Sequence, residues 1–513
     1  MPVNPTTSFQ VEINGISFHC RKPVVKGNSD FEIMATKDNT ISPLVLPVVN
    51  SASYERLTYL GSQFGRNFKI PYFNDKALLE RKLPGIGIQH PYLTISDFLE
   101  DKIVKLPSNI NKSDYFDGNY NSQNGQKEGF LLPLKKLYFD YFGVDDLMGV
   151  APSGRHTIDI KQLASGVEVT LRIPIQKGNE VEYKRIYTLD VKADEANNKG
   201  AIVLPPEDFA VGVFPPIRFV QDSDAHYRIV LVGYHNLNKD FFCECHNAEG
   251  FFTPDYVVRN VDIEEDDRSK VYCIDGVSFD CARLTIRTDD GKEKVGSGFV
   301  IPKFKQRIGS GSLTFAIDLG TSNTHIEYAE GSDVLPKPFE FGKDQPLVCL
   351  LFEPDELVKN HIRGEFIPES IGRGSICQFP MRTVLCVDKN NVGLNESGSG
   401  AYVAFGNASP AFMYNKSVVG PKYNDFIPNL KWSQMNYENE ERLRCYIESL
   451  FMMIRTKVVQ MGASLGQTQI KWFYPISMSP IKQGLLGHLH NHVGLTENFD
   501  QSENEEFLVN DSP

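Results

Sequence analysis

The string Ile317-Asp-Leu-Gly-Thr-Ser-Asn-Thr324 places a carboxylate, a glycine and three hydroxyls within eight consecutive residues. The six residues Leu313-Thr-Phe-Ala-Ile-Asp318 read as an apolar strand that ends in the carboxylate, and residues 325–329 read as a second strand. The turn between them has the composition of an anion site. Gly320 lets the backbone approach an oxyanion closely, and successive N–H groups in a turn form a concave surface for negative charge. The hydroxyls of Thr321, Ser322 and Thr324, with Asn323 between them, add donors. Asp318 is suited to hold a magnesium ion through its water shell, because that ion keeps most of its waters when bound. Phosphate is therefore the ligand expected here. The plainer alternative is a hairpin with a glycine turn, which would need neither the hydroxyl cluster nor the strand-ending aspartate.

The elements that would carry such a loop belong to a chain of 513 residues, too long for a single core at about 100–200 residues per domain. Residues 1–150 read as a mixed α/β region. It opens with alternating strands on either side of Asn14-Gly15, a hairpin turn dipeptide. A loop or boundary rich in Asn, Asp, Ser, Tyr and Gly is expected over residues 109–126. Leu134, Leu137, Tyr138 and Tyr141 then fall at helical spacing with a core-facing stripe. Residues 151–308 switch to a period of two and read as an antiparallel β-rich domain, a sandwich or barrel, with strands over 167–175, 181–191, 227–234, 271–279 and 282–288. Residues 309–312, Gly-Ser-Gly-Ser, read as a linker. From residue 313 onward strands are interleaved with a strong helix over 438–461, as in an α/β module.

With those elements in place the loop resembles the first phosphate loop of the heat-shock ATPase, actin and sugar-kinase superfamily. Its Asn-Thr ending is most similar to bacterial actin-like and heat-shock ATPases. Further segments follow in the order the resemblance requires. Residues 379–385 resemble the third strand of the first lobe, with Met381 in place of a small residue. Residues 402–408 are similar to the strand and Gly-x-Ala step after it, and residues 470–475 to the strand that follows the long helix. Residues 479–492 would supply a short helix beyond. Asn429-Leu-Lys-Trp432 resembles the point where heat-shock ATPases place a lysine facing the γ-phosphate, which nominates Lys431. The fold implied is multidomain α+β: a β-rich N-terminal region followed, over residues 313–513, by the first lobe of an actin-like, ribonuclease H-like nucleotide-binding domain. The implied ligands are ATP and Mg2+, held by Gly320, Thr321, Ser322, Asn323 and Thr324, with Asp318 as the metal-positioning and catalytic carboxylate and Lys431 as its catalytic partner. The resemblance also implies a second lobe. No second phosphate loop is present, so that lobe is expected from sequence beyond residue 513 or from another chain, and the lobe itself is expected to be truncated. The implied activity is that of an ATPase whose N-terminal domains recognise a protein partner. A scaffold with a catalytically weak actin-like module and a small-molecule kinase of the sugar-kinase branch are the alternatives.

Composition excludes other classes. A net charge of −12 argues against nucleic acid as the main partner, since phosphate backbones demand clustered Lys and Arg. There is no apolar run long enough to span a bilayer and no secretion signal at the N-terminus, so a cytosolic protein is expected. The nine scattered cysteines fit reduced thiols. Cys243-Glu-Cys245-His246 lacks a second ligand pair for zinc. His488, His490 and His492 lack the glutamate of a metalloprotease helix, and residues 264–267 lack the spacing of a calcium loop. Neither a Gly-x-x-x-x-Gly-Lys phosphate loop nor a Gly-x-Ser-x-Gly nucleophile elbow is present.

Overall fold

The computed structural model describes residues 8–13, 16–21, 32–33, 44–45, 92–122, 128–174, 180–188, 198–204, 209–233, 241–262, 267–289, 293–306, 309–333, 335–353, 367–375, 377–388, 402–412, 424–432 and 437–473. The chain is α+β and rich in strand. It divides into two compact units. One comprises residues 1–204, 244–252 and 280–301, and the other residues 205–243, 253–279 and 302–513. Residues 151–308 are thus shared between both, and their described strands enter several sheets. The helix expected over 479–492, its histidines and the acidic residues 264–266 lie outside the described residues.

In the first unit the expected hairpin pairs Ser8–Ile13 with Ile16–Arg21 in register, Ile13 opposite Ile16. Gly166–Pro174 pairs with Glu180–Thr188 on one side and Ile158–Gln162 on the other. Having neighbours on both edges, it buries more than the alternating face that the sequence predicts. Thr170 and Arg172 are buried as well, and the Arg172 guanidinium meets the Asp159 and Glu182 carboxylates at 2.6 and 3.0 Å. The helix expected around residue 134 is shorter than its spacing suggested. It spans only Leu137–Tyr141, because Leu134, expected in its first turn, is drawn instead into an antiparallel bridge with Leu99. Its apolar face is nonetheless core: Phe139 packs 4.7 Å from the Phe299 ring and 5.2 Å from His246.

The second unit holds the loop. An antiparallel sheet runs in the order Asp255–Asp262, Asp267–Asp275, His226–Gly233, Phe209–Phe214 and Cys349–Leu350. A mixed sheet is built from β1 (Leu313–Leu319), β2 (Asn323–Glu330), β3 (Lys337–Pro338), β4 (Met381–Arg382) and β5 (Gln469–Phe473). β1 and β2 form an antiparallel hairpin, β2 pairs with both β3 and β4, and β5 lies parallel to β1 on its other edge. Between β4 and β5 runs α1 (Tyr437–Gln460), one residue offset from the expected helix at each end. Phe315, Ile317 and Leu319 of β1, Ile326 of β2 and Trp472 of β5 share one core with Tyr446, Leu450 and Ile454 of α1. Val230 and Val271 of the antiparallel sheet belong to the same core.

α1 ends in a Schellman motif. Gly462, at φ +69°, donates to the Val459 carbonyl, and Ala463 donates to that of Val458, both at 3.0 Å. This stop delivers the chain to the start of β1, where Ala463 bridges Gly311 and Ser464 donates to the Gly311 carbonyl at 2.9 Å. The run 309–312, although exposed, is accordingly tied to the end of α1 rather than a free tether. A Cβ on Gly309 would stand 1.6 Å from the Gly462 carbonyl oxygen, so no other residue fits.

Candidate functional site

Alternation along β1 turns Leu313, Phe315, Ile317 and Leu319 inward and leaves Asp318 exposed at the loop end of the opposite face. Across the ladder Asp318 is paired with His325. The turn that follows is tight: a Cβ on Gly320 would lie 2.3 Å from the Asn323 carbonyl oxygen, a distance only glycine tolerates. Thr321, Ser322 and Asn323 are exposed, as an anion site requires.

Thr324 is placed differently. It is fully buried, and its hydroxyl belongs to a chain of hydrogen bonds whose direction the chemistry fixes. The Thr383 hydroxyl donates to the Gly320 carbonyl at 2.8 Å, which spends its only proton. Thr324, 2.9 Å away, must then donate to Thr383. Tyr446 of α1 donates in turn to Thr324 at 2.9 Å. The hydroxyl of Thr324 therefore faces the interior, and what it offers the loop is an anchor for Gly320. Burial pushes the Tyr446 phenol well above its ordinary range, against the pull of Thr324 and Thr383, so it remains a proton donor throughout neutral pH.

The segment 429–432 reaches the same loop from outside. Asn429 takes a left-handed conformation, φ +61°, and its carbonyl accepts from the Trp432 amide at 3.1 Å, closing a turn. That turn inserts the Lys431 ammonium against the Leu319 carbonyl and brings the Trp432 indole N–H to 2.7 Å from Thr321 Oγ1. Lys431 is buried, and burial lowers its pKa from the ordinary lysine value, with the negative charge of Asp318 opposing that shift. The two residues nominated for catalysis thus sit at one end of β1, electrostatically coupled.

Sequence reasoning placed Lys431 near the loop but gave no role to Thr383, Tyr446 or Trp432. Thr383 lies in the strand expected third, where β4 pairs Arg382 with Asn323 and Met381 with Thr324. Its amide also donates to the Ser322 carbonyl at 3.0 Å. Trp432 was visible as the neighbour of Lys431. Tyr446 carried no pattern beyond that of a helix core residue.

Asp318 is one exposed carboxylate, and the described residues contain no group of three or more His, Cys, Asp or Glu side chains arranged to hold a metal ion. That arrangement suits magnesium carried in with ligand phosphates and touched by a single carboxylate through water. Cys243 and Cys245 alternate with His246 along the Phe241–Asn247 strand, which places the two thiols on one face and the imidazole on the other. No described helix is long and apolar enough to cross a membrane. No family model matches the chain, and no curated protein matches it.

Proposed function

We propose that residues 313–473 form the phosphate-binding wall of an ATP site of the actin-like and heat-shock-like kind. The β-rich N-terminal region would recognise a protein partner in the cytosol, its contacts altered by nucleotide state. The observation that carries this reading is the clasp on the Gly320 turn. Thr383 holds the turn through its backbone on one side, and Lys431 and Trp432 hold it on the other, while Thr321, Ser322 and Asn323 stay exposed. A mixed sheet in which β5 returns parallel to β1 after a 24-residue helix is the setting that the resemblance calls for.

In this reading Gly320, Thr321, Ser322 and Asn323 hold the β- and γ-phosphates through donors already fixed in place. Thr324 keeps the turn in shape from beneath. Asp318 orients the water shell of the magnesium ion, which when bound neutralises charge developing on the transferred phosphoryl group. Lys431 adds positive charge at the end of β1. Isothermal titration of the natural chain with Mg-ATP tests the proposal. Saturable binding that is lost on Gly320→Val, with the fold retained, is expected; no heat of binding would refute it.

One observation favours the scaffold alternative. Lys431 is buried and bonded to the Leu319 carbonyl, so its charge is committed to the loop before any ligand arrives. A module of this kind binds nucleotide and hydrolyses it slowly. Measuring phosphate release on a protein already shown to bind Mg-ATP separates the two readings.

A further inference from the structure

The contact between Trp432 and Thr321 determines what the loop can bind. An indole N–H has no lone pair to offer, so in this 2.7 Å contact the nitrogen donates and Thr321 Oγ1 accepts. The threonine hydroxyl has one proton, and that proton must point elsewhere. Thr321 is exposed at the apex of the turn, so the proton is available to whatever occupies the loop. The indole takes one of the two lone pairs of the oxygen, so the hydroxyl proton is turned away from the indole and is the group presented to an oxyanion. A hydroxyl that accepts a hydrogen bond is also polarised into a stronger donor.

The surroundings point the same way. The Lys431 ammonium lies 5.9 Å from the centre of the Trp432 ring, so indole and lysine form one positively biased edge beside the turn. Trp432 is 46% exposed, and this large side chain is held in place by its N–H contact and by the turn closed on Asn429.

We propose that Trp432 is a positioning residue for phosphate recognition: it sets the polarity of Thr321, so that the loop presents a fixed hydroxyl donor to a pyrophosphate-like oxyanion. This rests on the phosphate-loop reading above and adds to it the residue that gives the loop its selectivity for anions.

The test uses the natural chain and two probes, inorganic pyrophosphate with magnesium and Mg-ATP, titrated against wild type, Trp432→Phe, Thr321→Val and the double variant. Phenylalanine keeps a smaller aromatic ring at the turn and removes the N–H. Loss of one hydrogen bond to a charged group corresponds to roughly a ten- to hundredfold weaker affinity. Thr321→Val should show that loss in full and Trp432→Phe, which keeps the hydroxyl but frees its orientation, a smaller one, with the double variant no weaker than Thr321→Val alone. The indole N–H resonance of Trp432, followed by NMR, should shift on binding, whereas that of the buried Trp472 should not. Binding by wild type with an unchanged affinity in Trp432→Phe overturns this inference alone, and so do additive losses in the double variant. Failure of wild type to bind either probe overturns both this inference and the reading beneath it.

Discussion

The phenol of Tyr446, in the first half of the long helix α1, lies 2.9 Å from the hydroxyl of Thr324 at the start of β2. Through Thr383 this contact ends on the carbonyl of Gly320, so the shape of the candidate phosphate loop is held from the core of the unit. Because each hydroxyl in the chain spends its proton on the next, cutting it at different points has different costs.

Tyr446→Phe removes the first donor and leaves Thr324 with a spare lone pair, at a cost of about 1 kcal/mol. Thr383→Val cuts the middle. It strands the buried Thr324 proton, at about 1–3 kcal/mol for a buried unsatisfied group, and also leaves the half-buried Gly320 carbonyl without this donor. Urea unfolding should therefore rank Thr383→Val as the more damaging change. The reverse order would mean that the chain runs in the opposite direction.

Gly309 and Gly320 make a second pair of expectations. A Cβ at either position meets a carbonyl oxygen, of Gly462 at 1.6 Å and of Asn323 at 2.3 Å. Both neighbours are backbone and cannot swing aside. Gly309→Ala should cost about 1–3 kcal/mol or more, the range for forced overpacking, by prying the end of α1 from the start of β1. Gly320→Ala should distort the turn locally and weaken Mg-ATP binding more than it lowers the melting temperature. Equal and small effects on melting for both variants would contradict the close packing at Gly309.

The contrast between those two glycines shows what was legible in the sequence. Gly320 sits in a string whose carboxylate, glycine and hydroxyls already imply an anion, and local chemistry of that kind can be read without knowing the fold. Gly309 looked like part of a flexible linker because Gly-Ser-Gly-Ser is also what a linker is made of. Only its approach to Gly462, 153 residues away, makes it structural. The same holds for Thr324, whose hydroxyl reads as a ligand donor beside Thr321 and Ser322 until the pleat of β2 turns it toward Tyr446. The long helix was legible to within a residue because its apolar period is local. The grouping of strands over 151–308 was not, since pairing depends on contacts that no period encodes.

A pH dependence is built into the antiparallel sheet of the same unit. Asp275 lies 2.8 Å from both the Arg228 guanidinium and His226 Nδ1, and Arg228 also donates to the Ala404 carbonyl at 3.0 Å. Burial works to raise the Asp275 pKa, but the charge of Arg228 and the bond to His226 outweigh it and hold the carboxyl well below the usual aspartate range. A depressed carboxylate contributes stability that is complete above the unfolded value, about 3.9, and is lost as pH falls toward the folded one. Wild type should therefore lose stability below about pH 4. Asp275→Asn should lose less across that interval. At neutral pH the variant is expected to be weaker by about 1–3 kcal/mol, under the 3–5 typical of a fully buried pair because the carboxylate remains half exposed. Parallel acid limbs for the two proteins would remove Asp275 from the account.

Asp318→Asn tests the coupling at the loop itself. Asp318 is exposed and β1 loses no packing with the change, so the melting temperature at neutral pH should move little while turnover, wherever wild type shows it, falls sharply. A second consequence does not depend on turnover. Burial already draws Lys431 below the ordinary lysine range, and the Asp318 carboxylate is the charge that opposes it. Removing that charge lowers Lys431 further. Between its folded pKa and the unfolded value of about 10.4, the unfolded chain binds more protons than the folded one, so stability rises with pH. The variant should show that rise over a wider interval, beginning at lower pH than in wild type. Unfolding curves collected from neutral pH up to the lysine range would reveal it, and an onset identical in the two proteins would show that Asp318 and Lys431 do not act on each other.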